Sequence, residues 1–175
     1  MHTGEFVPFE DWLRPLAPLF DLPMSSFARG AYQQANLEAN GIHLAPAICF
    51  EIAFPRQVAA NLYANTDMII TVSNDAWFGR SHGPAQHLEI ARMRALEFGR
   101  PVLRATNNGI SAFIDAKGQI TARLPQFEAG SLTAPVTATE GLTPYRQLGD
   151  LPMGILLTLL LIVSITSKKH RRLFS

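Results

Sequence analysis

The chain has 175 residues, a formal net charge of +1 and one cysteine. That length supports a single core without disulfide staples, and one cysteine excludes an internal disulfide. The near-neutral balance excludes a broad nucleic-acid surface. No zinc-type Cys/His cluster and no Gly-rich phosphate loop is present, so neither a metal nor another cofactor is expected.

The first forty residues carry Phe6, Phe9, Trp12, Leu16, Phe20 and Phe27, interrupted by Pro8, Pro15, Pro18 and Pro23. So many prolines forbid one long helix and predict an aromatic-rich loop with short helical turns at most. Ile42 to Phe50 reads as a strand, and Pro55 to Tyr63 as a helix with proline in its first turn. Met68 to Ser73 is a short β-branched apolar run, the pattern of a strand buried on both faces. A loop over residues 74–79 leads to a helix from Pro84 to Phe98, stopped by Gly99. Pro101 to Ala105, Ile110 to Ile114 and Gln119 to Leu124 read as strands, the last two joined by a turn at residues 115–118. Strand–helix–strand–helix–strand followed by a hairpin predicts an α/β layered domain, with a site at the strand ends.

Cys49 closes the first strand, just before a helix-like stretch. A thiol at a strand exit is well placed for nucleophilic chemistry, because exposed N–H groups there favour the thiolate. Inert packing is the competing reading, since free cysteines are commonly buried. Arg92, Arg94 and Glu97 share the long helix and read as internal ion pairs.

Leu151 to Ile165 carries no charge, and Lys168, Lys169, Arg171 and Arg172 follow at once. The pattern predicts a transmembrane helix over residues 149–167. The basic tail, residues 168–175, is then cytoplasmic, and residues 1–148 lie on the opposite side of the membrane.

Several motifs occur in a fixed order. They are Gly4-Glu5-Phe6-Val7-Pro8-Phe9, Asp21-Leu22-Pro23-Met24-Ser25-Ser26-Phe27, Ile48-Cys49-Phe50-Glu51 and Ser73-Asn74-Asp75-Ala76-Trp77-Phe78-Gly79. Gln86-His87, Ala91-Arg92-Met93-Arg94-Ala95-Leu96-Glu97, Arg104-Ala105-Thr106-Asn107-Asn108-Gly109-Ile110-Ser111 and Gly141-Leu142-Thr143-Pro144-Tyr145 follow. Together they resemble the C-terminal part of the apolipoprotein N-acyltransferases, bacterial inner-membrane enzymes with a domain of the nitrilase, or carbon-nitrogen hydrolase, superfamily. The resemblance implies a periplasmic, partial nitrilase-like α-β-β-α sandwich over residues 1–148, one sheet face of which would lie bare. It also implies an activity: a fatty acyl chain passes from a membrane phospholipid, through a cysteine thioester, to the N-terminal amine of diacylglyceryl-cysteine in a lipoprotein. The partners implied are the phospholipid donor, the lipoprotein acceptor and the membrane.

Residue by residue, Cys49 matches the nucleophile, and the backbone N–H of Phe50 would donate to the oxyanion. Glu5 matches a supporting acid on a loop, and Glu51 would position the site by hydrogen bonding. Trp77 and Phe78 would wall an acyl chain, although loop aromatics also serve as plain packing. The family's triad is Glu-Lys-Cys, with its lysine a few residues before Gly4 and its glutamate further upstream. Met1-His2-Thr3 stands there, and the first lysine is Lys117. The reading is therefore a fragment, inactive alone. A membrane-tethered nitrilase-type amidase and a non-catalytic remnant are the alternatives.

Overall fold

The computed structural model describes residues 30–173, with side-chain burial up to residue 165. Six strands form one sheet in the order β1 to β6. β1 (Leu37–Ala39) and β2 (Ile42–Ile48) are an antiparallel hairpin, with Asn40 and Gly41 at φ +52° and +78°. Two left-handed residues suit a two-residue turn whose twist matches its strands. β2, β3 (Met68–Ser73) and β4 (Val102–Thr106) are parallel, whereas β5 (Ala112–Ile114) and β6 (Ile120–Arg123) add antiparallel. The crossovers between the parallel strands carry α1 (Pro55–Ala60) and α2 (Gly83–Phe98).

One sheet face is covered. Leu88, Ala91, Ala95 and Phe98 form a helical stripe on α2, all buried, and Ile69, Val102 and Ile114 supply the buried strand positions. Gly99 ends the helix in the left-handed region at φ +60°, its N–H donating to the Ala95 carbonyl. The opposite face bears the rows Pro46–Ile70–Leu103 and Ile48–Val72–Ala105, set by the strand register. It is less covered, and Val72 is 46% exposed.

Most elements fall where the sequence places them, with corrections at the ends. The first strand stops at Ile48, because Cys49 takes φ +51° and the chain turns into a 3-10 helix, Cys49–Ala53. The following helix ends at Ala60 rather than Tyr63. A second 3-10 turn, Asp75–Phe78, occupies the predicted loop.

Residues up to Gly141 and from Leu142 onward form separate compact units. In the second, Thr143 caps α3 (Pro144–Leu148) by accepting from the Arg146 N–H, and Gly149 follows at φ +55°. α4 then runs Leu151–Leu173. Its side chains from Leu151 to Ile165 are exposed all round. Among the described residues, however, no helix is long and apolar enough to cross a membrane. The break at Gly149 starts this helix two residues later than expected, and its apolar stretch ends at Ile165. At ~1.5 Å per residue that stretch falls short of a hydrocarbon core of ~30 Å. The expected transmembrane span over residues 149–167 is therefore not supported.

Candidate functional site

The C-terminal ends of β2, β3 and β4 converge on one cluster. Cys49, leaving β2, is a free, half-buried thiol in the left-handed region. A side chain at positive φ crowds its own backbone, a conformation held only where the surroundings enforce it. Two neighbours do so here. The buried Glu51 folds back so that its Oε2 accepts from the Ile48 N–H at 2.7 Å, and Gln57 Nε2 donates to its Oε1 at 3.4 Å. His87, from the first half of α2, places Nε2 3.1 Å from the Cys49 carbonyl oxygen.

Beneath the thiol lies a buried charge cluster. Asp75, just beyond β3, accepts from Ser73 Oγ at 2.6 Å and from Arg104 Nη2 at 2.6 Å, and its Oδ1 lies 3.0 Å from His87 Nδ1. The Asp75 and Arg104 side chains are both 0% exposed. Burial pulls the Asp75 carboxyl upward, but hydrogen bonds from His87 and Ser73 and the Arg104 charge outweigh it, leaving it below its ordinary value. Burial lowers the Arg104 guanidinium, with Asp75 opposing the shift. Ser73 Oγ also lies 3.4 Å from Cys49 Sγ. A hydroxyl has one proton and two lone pairs, so Ser73 serves Asp75 as donor and faces the sulfur with a lone pair. Gly109 presses on the same carboxylate, where any Cβ would overlap it.

An aromatic group closes over His87. Phe50 and Phe78 approach its ring at centroid distances of 6.3 and 6.2 Å, and Phe54 meets Phe50 edge-on at 5.6 Å. Phe78 thus packs on the cluster, whereas Trp77 is 89% exposed. Glu5 and the proline-rich aromatic segment lie outside the described residues. Arg92 and Arg94 pair with Glu89 and Glu97 on their own helix, as expected of intrahelical ion pairs. Among the described residues, no group of three His, Cys, Asp or Glu side chains is placed to hold a metal ion.

The model of the carbon-nitrogen hydrolase family matches residues 3–145. The chain belongs to the carbon-nitrogen hydrolase family. Among its relatives, a protein of Vibrio parahaemolyticus named apolipoprotein N-acyltransferase is 58% identical over 161 residues, covering 92% of this chain and 32% of that protein. Proteins of the same name from Vibrio cholerae and Shewanella oneidensis are 61% and 55% identical, covering 86% and 97% of this chain and 30% and 33% of theirs. The chain thus spans about a third of the length of the curated relatives it matches. Among solved structures, a mutant amidase from Nesterenkonia sp. AN1 superposes with a TM-score of 0.51 at 19% identity, covering 75% of this chain and 52% of its own. At that identity the likeness concerns the fold.

Within this carbon-nitrogen hydrolase fold, the strand ends bring Cys49, Phe50, Glu51 and Phe78 together. Reasoning from sequence did not single out Ser73, Asp75, His87 or Arg104 as a cluster. The available signal was weak: two polar residues at a strand exit, a histidine on an apolar helix face and an arginine inside an apolar strand.

Proposed function

We propose that this chain carries the nucleophile of an apolipoprotein N-acyltransferase acting at a bacterial inner membrane. The Cys49 thiolate attacks the ester carbonyl of a phospholipid, the C–O bond to glycerol breaks, and the departing alkoxide takes a proton to become a lysophospholipid. The amine of a diacylglyceryl-cysteine then attacks the thioester. An amide forms, the C–S bond breaks and sulfur leaves as thiolate, while a base takes the amine proton. The Phe50 N–H stabilises the oxyanion of each tetrahedral intermediate. Glu51 holds the turn that presents the thiol, Phe78 and Trp77 offer apolar surface to the acyl chain, and Glu5 is the supporting acid.

The observation that carries this reading is the free thiol of Cys49, held at φ +51° at the C-terminal end of β2, which pairs in parallel with β3. The names of the relatives support the substrate class. Lys117, the lysine nearest Cys49 among the described residues by sequence, sits in the β5–β6 turn, where its N–H donates to Asp115. The lysine and general-base glutamate of the implied triad have no match in this sequence.

The test joins this chain to the preceding two-thirds of the Vibrio parahaemolyticus relative. In detergent with labelled phospholipid, the fusion is expected to form a hydroxylamine-sensitive thioester and to acylate a diacylglyceryl peptide, while the chain alone gives no turnover. Loss of a general base and of oxyanion stabilisation costs roughly 10²–10⁴-fold and 10²–10³-fold respectively. Retention of the thioester label in the Cys49→Ala fusion overturns the assignment.

For α4, we propose association with a membrane through its apolar side chains. The support is an exposed apolar surface on every face from Leu151 to Ile165, next to four basic residues. The chain is expected to stay with membranes through a carbonate wash. Its release into the wash would remove this proposal.

A further inference from the structure

The Cys49 carbonyl and the Phe50 N–H belong to one peptide unit. That unit is planar and trans, so the two groups point in opposite directions. Whatever fixes the carbonyl therefore aims the N–H. His87 occupies that position: its Nε2 is 3.1 Å from the Cys49 oxygen, and its ring is buried at 2% exposure. Phe50, the second residue of its 3-10 turn, has no carbonyl within that turn to receive its N–H. With the carbonyl directed inward onto His87, the N–H faces the other way.

The imidazole is itself anchored. Nδ1 lies 3.0 Å from Asp75 Oδ1, and Asp75 is held by Arg104 and Ser73, each at 2.6 Å. The Cys49 carbonyl oxygen has no proton to give, so the Nε2 contact is a donation from the ring. With both nitrogens turned to oxygen atoms, and Ser73 the polar side chain beside Cys49 Sγ, the ring is not arranged as a base for the thiol.

We propose that His87 is a positioning residue for the oxyanion donor. By donating to the Cys49 carbonyl it orients the Phe50 N–H. By polarising that amide it strengthens the N–H as a donor, since hydrogen bonds in series reinforce one another in a low-dielectric site. Arg104 and Asp75 act one step further back, holding the ring. This inference rests on the acyl-transfer reading of Cys49 and assigns the means by which its oxyanion is bound.

Two reactions of the same thiol separate the role from its alternatives. Acylation by p-nitrophenyl butyrate passes through a tetrahedral oxyanion. Alkylation by iodoacetamide is a direct displacement that does not, and depends on thiolate content and access. Both are read in the fusion described above, with the Cys49→Ala fusion subtracted as background; Cys49 is the sole cysteine that this chain contributes. His87→Ala and the more conservative His87→Gln are expected to slow acylation at least tenfold, a part of the roughly 10²–10³-fold loss seen when an oxyanion donor is removed. Alkylation should stay within about twofold, because thiol and access are unchanged. A parallel fall of both reactions in His87→Gln overturns the proposal, assigning His87 to the thiol or the scaffold. Unchanged acylation in His87→Gln overturns it as well. A wild-type fusion that is alkylated but not acylated at Cys49 overturns the acyl-transfer reading, and the inference with it.

Discussion

The two ends of the parallel strands solve the same problem differently. Each holds a buried arginine on or beside β4. At the N-terminal end Arg100 is closed by backbone, its guanidinium donating to the carbonyls of Thr66 at 2.7 Å, Gly99 at 3.2 Å and Gly141 at 3.1 Å. At the C-terminal end Arg104 is closed by a carboxylate, and that carboxylate passes the connection on to His87 and the Cys49 carbonyl. Carbonyls that receive a guanidinium end the chain of interactions. A carboxylate has further lone pairs, so it extends it. The end with the carboxylate is the end with the thiol.

Breaking each arrangement should expose the difference. Asp75→Asn leaves Arg104 buried without its counter-charge, and removing one partner of a buried pair costs about 3–5 kcal/mol. Arg100→Met leaves buried carbonyls without donors, at about 1–3 kcal/mol. Urea unfolding of the two variants should rank them in that order, and equal losses would erase the distinction between the ends. Both changes should leave the far-UV circular dichroism of the folded chain intact.

A smaller effect is expected from acid. The Asp75 carboxyl sits below its ordinary value in the folded chain, so its contribution to stability is complete above the unfolded carboxyl value, near 3.9. It is lost progressively as pH falls through the lower, folded value. Each unit of separation between the two contributes about 1.4 kcal/mol. Stability should therefore decline more steeply below about pH 4 in the wild-type chain than in Asp75→Asn. Arg100→Met should keep the wild-type slope. A matching slope in Asp75→Asn would mean that Asp75 is not the acid-sensitive group.

The sequence made the regular elements readable and left the cluster hidden, for physical reasons. Met68–Ser73 is a continuous β-branched run, and Gly99 a clear helix stop, so β3 and the end of α2 were placed to the residue. The hairpin at Asn40 and Gly41 carries a strong turn pair, but β1 is only three residues long and has no alternation to read. The strand was extended through Phe50 because hydropathy does not register a single left-handed residue. Cys49 and Glu51 were found by proximity in sequence. Asp75, His87 and Arg104 were not grouped, because twelve residues separate the first two and twenty-nine separate Asp75 from Arg104. Strand register, which sets Thr71 beside Arg104, and the packing of α2 on the sheet bring them together.

The φ of +51° at Cys49 puts the demands of reactivity and of durability at odds in one residue. Glycine occupies that region freely, and an L side chain there is disfavoured by roughly 1–2 kcal/mol. Selection for a sturdier chain alone would drift this position toward glycine and lose the thiol. A cysteine at such a backbone angle therefore holds its reactivity at the expense of the chain's stability.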